Sequence, residues 1–585
     1  MNDSKRNNRY SEDDSRDTRN SNTSNAKRSS KSKNYRNRGS KSSNYRGKGS
    51  DRSDSDSRYP RDGDKYHAVD TKTESRGNHI EWYVPDKNQL DNVASILFSH
   101  RTGSRMELGY HYDGTVGSNR LTSSPYRIPG AIAARFTPTF GNLENSQSAG
   151  NVANTAIYSW VRHANSGSRN YDAVDLGLYL FAMDSIYTGL MHLTRIVATV
   201  MTFNRWNEYL PSDLLTIQGC KPLNSAGNSI ATELPRMRAW LNNMILKTTT
   251  LAAPRTLPIY DRHAYMCTNV FVDEPNEFGQ FYLYVPENLW KFGYSGSGST
   301  SKGCLNAVKF VDKKVISDWT VLFSTVQSLI DAVYGDEDCG IMTGDLLKAY
   351  GPEGIVKLAT VPDDVALMPV YDHDALIQFH NAIPYGELVP MLDQSTPRID
   401  QIIPANAGPS PYLQNSWSVR NPLPGYQHPG EFMFPLDLHN DVNPENIMRA
   451  TRCQALIVAT KVAPDLKPFI IDYSRSELSC EFINSFTIHN REPEDSTLGY
   501  YEWDKYFQYA DSAVGSWLYA HAASFTLAPL MFYTVKQGPT IYDLVPFGNI
   551  DKMTVLSEAN LRQLHQVAML GVFNVPRISL GQITK

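Results

Sequence analysis

The sequence predicts a mainly α protein with a minority of β structure, an α+β body behind a disordered basic N-terminal arm. Three observations lead there. Leu176, Leu180, Met183, Tyr187, Leu190, Thr194, Val197 and Met201 recur in alternating steps of four and three, the spacing of one helix face. Short runs rich in β-branched and aromatic residues, such as Gln280–Val285 and Glu481–Ile488, punctuate the second half. Arg19–Ser50 holds ten Lys or Arg residues, no Asp or Glu and almost nothing aliphatic, so no core offsets the entropy of ordering it.

The arm has a pattern of its own. Lys31–Ser40 and Lys41–Ser50 match at seven of ten positions, and each copy sets a Tyr beside an Arg, then a Gly. Arg19, Lys27, Arg28, Lys31, Lys33, Arg36, Arg38, Lys41, Arg46 and Lys48 can displace counterions from phosphates, while Tyr35 and Tyr45 can stack on exposed bases. The bland alternatives are a solvated tail or a targeting signal. Residues 1–80 carry net +8 and the remainder net −12 within an overall charge of −4. A polyanion would therefore be held by the arm and repelled by the body.

With 585 residues the chain is long enough for two or three domains. Its six Cys are spaced 27 residues or more apart with no CxxC pair, which argues against a disulfide scaffold or zinc module and for free thiols. No apolar leader opens the chain. Leu176–Leu193 comes nearest to a membrane span, but Asp184 at its centre would cost about 2.5–3.5 kcal/mol to insert. A soluble intracellular protein is expected.

Taken in order, 51–70 still reads as disordered, and Arg58, Arg61, Lys65 and Arg76 leave it open to proteolysis. Order is expected from Ile80, with Asp86 capping a helix to about His100. Arg101–Gly150 reads as a long irregular stretch. A helix over Asn151–Gly167 and a second from Asp172 to about Trp206 follow, the second apolar nearly all round and hence interior. Arg236–Lys247 continues the helical half. Tyr265–Asp273 and Gln280–Val285 read as strands of a hairpin. Ile316–Val333 and Gly344–Tyr350 read as helices, and Pro352–Pro435 as loops. Pro444–Ala450 is a short helix capped by Asp441 or Asn443. Strands are expected at Cys453–Thr460, Phe469–Tyr473 and Glu481–Ile488, then helices from Trp503 to about Ala528 and from Ser557 to about Phe573.

Little here resembles an active site. Gly293–Gly303 lacks the Gly-Lys-Ser/Thr of a phosphate loop and reads as a surface loop. Asp372, His373, Asp374 and His380 are too close in sequence to converge readily on a metal, and Asp336, Glu337, Asp338 and Asp345 read as a solvated acidic patch. His163, Arg162, Asp175 and Asp184 could form an acid/base set, but an internal ion-pair network explains them more cheaply. His192 and His521 read as satisfied core histidines. No cofactor, no metal and no enzymatic activity are expected.

Residues 157–187 (IYSWVRHANSGSRNYDAVDLGLYLFAMDSIY) and 203–219 (FNRWNEYLPSDLLTIQG) resemble the capsid proteins of picobirnaviruses. Further similarity lies in 261–274 (DRHAYMCTNVFVDE), 340–351 (GIMTGDLLKAYG), 443–452 (NPENIMRATR) and 561–576 (LRQLHQVAMLGVFNVP), in the family's order. The resemblance implies a largely helical subunit forming intertwined homodimers that tile a closed icosahedral shell around genomic double-stranded RNA. It further implies the packaged viral RNA polymerase as a partner, location in the virion and, during assembly, the host cytoplasm, and no stable membrane insertion. The division it suggests is a basic arm at 1–79, a shell domain from 80–255 and 501–585, and a protruding dimerisation domain at 256–500. Two rival readings remain: a cellular RNA-binding protein with a non-assembling body, and an enzyme built around His163.

Overall fold

The computed structural model describes residues 101–103, 128–166, 170–203, 209–274, 279–296, 301–365, 367–391, 394–404, 410–419, 431–436, 442–461, 469–490, 501–503, 507–509, 522, 524–529, 531–537, 541–547 and 552–574. All of them belong to one compact unit, Tyr66–Lys585. The expected helix capped by Asp86 and the N-terminal arm lie outside the described residues.

In chain order the elements are β1 (Ala131–Pro138), α1 (Ala149–Ala164), α2 (Ala173–Met201), α3 (Tyr209–Ile217), α4 (Leu234–Thr248), α5 (Pro258–Thr268), β2 (Phe271–Val272), β3 (Phe281–Pro286), β4 (Asn288–Ser295), β5 (Lys302–Lys309), α6 (Trp319–Tyr334), α7 (Glu337–Tyr350), α8 (His373–Asn381), β6 (Leu388–Pro390), β7 (Arg398–Ile402), β8 (Tyr412–Val419), β9 (Glu431–Leu436), α9 (Pro444–Ala450), β10 (Ala459–Lys461), β11 (Phe469–Ile471), β12 (Glu481–His489), β13 (Tyr501–Trp503), β14 (Phe507–Tyr509), β15 (Met531–Gln537), β16 (Ile541–Phe547), β17 (Lys552–Ser557) and α10 (Glu558–Val572). This is a mixed α+β fold with more helix than strand.

The expected interior helix is α2, in which 24 of 29 residues are buried, so it is packed on every side. The carboxylate of Asp175 accepts the backbone N–H of Asp172 at 2.9 Å and closes its first turn. The helix stops at Met201, short of the expected Trp206. At Gly189 an added Cβ would lie 2.9 Å from Val326, so α2 approaches α6 as closely as it does only without a side chain there. The other caps follow short polar residues: Asp336 accepts from Cys339 N–H at 2.9 Å, Asp372 from Asp374 N–H at 2.9 Å and Asn443 from Asn446 N–H at 2.8 Å.

Two five-stranded sheets dominate the β structure. One runs β13-β12-β1-β3-β2, with β1 antiparallel to β12 and parallel to β3; the other runs β4-β5-β7-β8-β6. β1 divides the interior. Ala131 and Ala133 face the core built on α2, while Ile132, Ala134 and Phe136 face a second core with Phe379, Phe486 and Ile488. That alternation is the two-residue period of a strand buried on both faces.

Several expectations are corrected. Arg101–Gly150 contains β1; its AIAARFTP sequence is poor in β-branched residues, and the sheet position overrides weak propensity. Tyr265–Thr268 is helical, because Pro258 opens α5 and Ile259, His263, Met266 and Cys267 share its buried face. Only Phe271–Val272 of that stretch is strand, pairing with β3 as the expected hairpin. Pro352–Pro435 holds α8 and β6 to β9 rather than loops alone, and Cys453–Thr460 is strand only from Ala459. Trp503 and Phe507–Tyr509 lie in strands, where aromatic residues sit well, so no continuous helix starts at Trp503. β15, β16 and β17 were not anticipated.

Candidate functional site

The residues assigned to RNA contact (Arg19, Lys27, Arg28, Lys31, Lys33, Tyr35, Arg36, Arg38, Lys41, Tyr45, Arg46 and Lys48) lie outside the described residues. What the described residues bring together is a largely buried ionic cluster where α2, α5, α8 and β12 meet, with only Arg262 reaching partly to the surface. Asp184 of α2 is 1% exposed, and His263 of α5 and Glu481 of β12 are 0% exposed. His263 Nδ1 lies 2.8 Å from Asp184 Oδ1, and its Nε2 lies 3.4 Å from Glu481 Oε1. Arg262 grips Glu481 with two nitrogens, Nη2 donating to Oε2 at 3.1 Å, and the same Nη2 donates to Gln378 Oε1 of α8 at 3.0 Å.

The electrostatics follow from burial and pairing. Burial disfavours a charged His263, but Asp184 and Glu481 outweigh it and raise the imidazole to about 10. Burial likewise opposes a charged Glu481, yet Arg262 and His263 hold it down at about 2. Burial lifts Asp184 above the usual carboxylate range against the pull of His263. Two acids thus face two bases, and the cluster binds a helix, a second helix and a strand from three distant parts of the chain.

A second cluster is built without acids. Arg195, 0% exposed, donates to Gln218 Oε1 at 3.1 Å, to the Asn269 carbonyl at 2.9 Å, to the Tyr284 carbonyl at 2.9 Å and to His192 Nδ1 at 3.0 Å. His192 Nδ1 is therefore the acceptor, and its Nε2–H donates to the Gln218 carbonyl at 3.1 Å. Burial lowers Arg195 to about 10, and burial with the adjacent guanidinium pushes His192 well below its ordinary range. His192 is the satisfied core histidine expected of it; His521 lies outside the described residues.

The acid/base set around His163 is not assembled. His163 is on an exposed face of α1, Asp184 is paired with His263, and Asp175 caps α2 and accepts from Gln401 at 2.6 Å. Asp372 and Asp336 are helix caps, and the buried His380 hydrogen-bonds the Ala528 carbonyl. Among the described residues no group of three or more His, Cys, Asp or Glu is placed to hold a metal, and all six cysteines are buried free thiols. Sequence reasoning missed Arg262, His263 and Glu481. The first two precede the stretch expected as a strand, Tyr265–Asp273, and Glu481 is more than two hundred positions away. The adjacent basic pair behind Pro258 was the one signal available.

The ionisable interior of this chain serves to lock helices to sheet, and the comparisons agree on the class: a virus coat protein, a structural component of the virion rather than an enzyme. A family model described as picobirnavirus capsid protein matches residues 82–402. A capsid protein precursor of a human picobirnavirus is 28% identical over 530 residues, covering 87% of this chain and 93% of that protein. A solved structure described as the X-ray crystallographic structure of the picobirnavirus capsid shares the fold with a TM-score of 0.64 at 20% identity, covering 87% of this chain and 99% of that one. The chain belongs to the picobirnavirus capsid protein family and forms the viral shell. That membership decides against the cellular and enzymatic readings.

Proposed function

We propose that the chain associates as homodimers, that these tile a closed icosahedral shell around genomic double-stranded RNA, and that the N-terminal arm faces inward and holds the RNA without sequence preference. The observation that carries this reading is the charge division, net +8 over residues 1–80 against −12 over the rest. An arm of this length has a random-coil span of roughly 50 Å, enough to leave a shell wall and reach interior cargo. Many copies make individually weak phosphate contacts effective together. The anionic body keeps packed RNA from adhering to the wall, so that it can move past a packaged polymerase. Assembly takes place in the host cytoplasm. Among the described residues no helix is long and apolar enough to cross a membrane.

The shell domain is assigned to 80–255 and 501–585 and the protruding dimerisation domain to 256–500. Because β1 shares its sheet with β3 and β12, this division is one of role within a continuous fold. The Arg- and Lys-bearing stretch 51–76 is a maturation cleavage site, a reading in keeping with the relative's name as a precursor. Mass spectrometry of purified particles should find shortened chains, and full-length chains alone would refute the cleavage. Deleting residues 1–50 should leave shells intact by negative-stain microscopy while lowering their nucleic-acid content. If truncated shells package as much RNA as full-length ones, the role given to the arm is wrong.

A further inference from the structure

The surface of α7 carries a pattern that the subunit does not use. Its inner face, Cys339, Met342, Asp345 and Leu346, is buried in the core. At 100° per residue, Glu337, Ile341, Gly344 and Lys348 fall within a narrow outward stripe bordered on one side by Gly340 and Leu347. Ile341 is 39% exposed and Leu347 45%, and both glycines are exposed. Neither glycine is placed by packing, since an added Cβ at Gly340 or Gly344 would meet nothing within 4 Å. Neither adopts a positive φ. Two such glycines inside a helix weaken it with no return inside this chain.

The stripe is self-complementary. Glu337 and Lys348 are equally far from the point between Met342 and Thr343, one residue short of the helix midpoint, and so are Ile341 and Gly344. Neither charge has an ion-pair partner among the described residues. Turned about a two-fold axis and laid antiparallel on itself, the helix brings each Glu337 to a Lys348 and each Ile341 over a Gly344. Acid meets base twice, and side chain meets hollow twice. This is the requirement an isologous contact imposes on a surface. The acidic start of the helix, with Asp338 beside Glu337, then lies near the Lys-bearing end of its neighbour.

We propose that the outer face of α7 is a two-fold contact between copies of this chain, with Glu337 paired to Lys348 of the partner subunit and Ile341 seated over Gly344 of the partner subunit. The proposal rests on the homodimer reading above and assigns it a surface. Within that contact the glycines allow close helix approach, and Leu347 extends the apolar seam along one flank at each end.

Charge reversal tests it in the full-length chain. Glu337→Lys and Lys348→Glu, made singly, each place like charges at both symmetric positions and should weaken subunit association about tenfold or more by sedimentation velocity. The double reversal restores opposite charges and should return association to near the wild-type value. Melting temperatures of dissociated subunits should be the same in all four proteins, which separates a contact from a folding defect. With Ile341→Cys and Gly344→Cys in one chain, oxidation should give a covalent dimer linked between positions 341 and 344 of different copies. Single reversals that associate like wild type, or a double reversal no better than the singles, would overturn the assignment of this face. A wild-type chain that neither dimerises nor forms shells would instead overturn the homodimer reading on which it rests.

Discussion

The His263 imidazole lies 2.8 Å from the Asp184 carboxylate, both are sealed from solvent, and the contact fastens the central helix α2 to α5 across 79 positions of chain. A buried pair of this kind is costly to break from one side, because the remaining charge has no water to turn to. Asp184→Asn should therefore destabilise the subunit by about 3–5 kcal/mol. The midpoint of urea unfolding checks this, with a near-wild-type midpoint counting against a structural role for the pair.

The same cluster sets a pH window. The base His263 is raised from 6.5 to about 10, so its contribution is complete below pH 6.5 and is lost as pH climbs through 10. The acid Glu481 is lowered from 4.5 to about 2, so its contribution is complete above pH 4.5 and is lost as pH falls through 2. Support from these two residues is thus greatest between pH 4.5 and 6.5 and declines on both sides. Melting temperatures measured across pH should show the alkaline decline blunted in His263→Gln relative to wild type. Parallel curves in the two proteins would contradict it.

Arg195 supports its surroundings by satisfying them. Arg195→Met removes the donor from two backbone carbonyls, the Gln218 side chain and His192 Nδ1, and all of these but the part-buried Asn269 carbonyl lie in the interior. The loss should be about 3–5 kcal/mol, more than a change of side-chain volume alone would give. Arg195→Lys should recover only part, since an ammonium lacks the planar fork that reaches these acceptors together. Chemical denaturation of the three proteins is the measurement, and a fully recovered lysine variant would show that charge alone mattered.

Gly219 ends α3 at φ +82°, where an added Cβ would sit 2.4 Å from Val311 Cγ1. Gly219→Ala should cost about 1–3 kcal/mol through backbone strain and more through the clash. Gly227, at φ +80° with nothing within 4 Å, pays the strain alone. The difference in melting temperature between the two alanine variants isolates the packing term, and equal values would remove it.

If, as proposed, the ten arm cations hold RNA, salt should release it. For a duplex the logarithm of affinity falls by about 0.9 per tenfold salt for each phosphate neutralised, so full engagement gives a slope near nine. Replacing half of those cations by Gln should roughly halve the slope in a titration of the full-length chain with duplex RNA. A slope that does not change with the number of arm cations would place the binding elsewhere.

α2 was legible because its apolar spacing persists for more than seven turns and because Asp172 and Asp175 mark its start. The short helix α9 was legible from its Asn443 cap, and α10 from Leu561, Leu564, Ala568 and Gly571 recurring on one face. β1 was not, since a strand of Ala, Arg and Thr declares itself only when β3 and β12 lie beside it. The same holds for α5, whose aromatic and β-branched residues imitate a strand until the buried face from Ile259 to Cys267 is seen against α2.

The sequence by itself determined the local features: which runs bury a helical face, which residues cap them, where the cations collect, and, through its motifs, the family. Only the tertiary structure decided which charges meet. Arg262, His263, Asp184 and Glu481 come from three segments up to 297 residues apart, and the pairing of His263 with Asp184, in place of His163, depends on how α5 crosses α2. Periodicity and capping are properties of neighbours along the chain and can be read there. A buried ion pair depends on long-range packing, because the penalty of burying each charge is offset only where folding brings its partner.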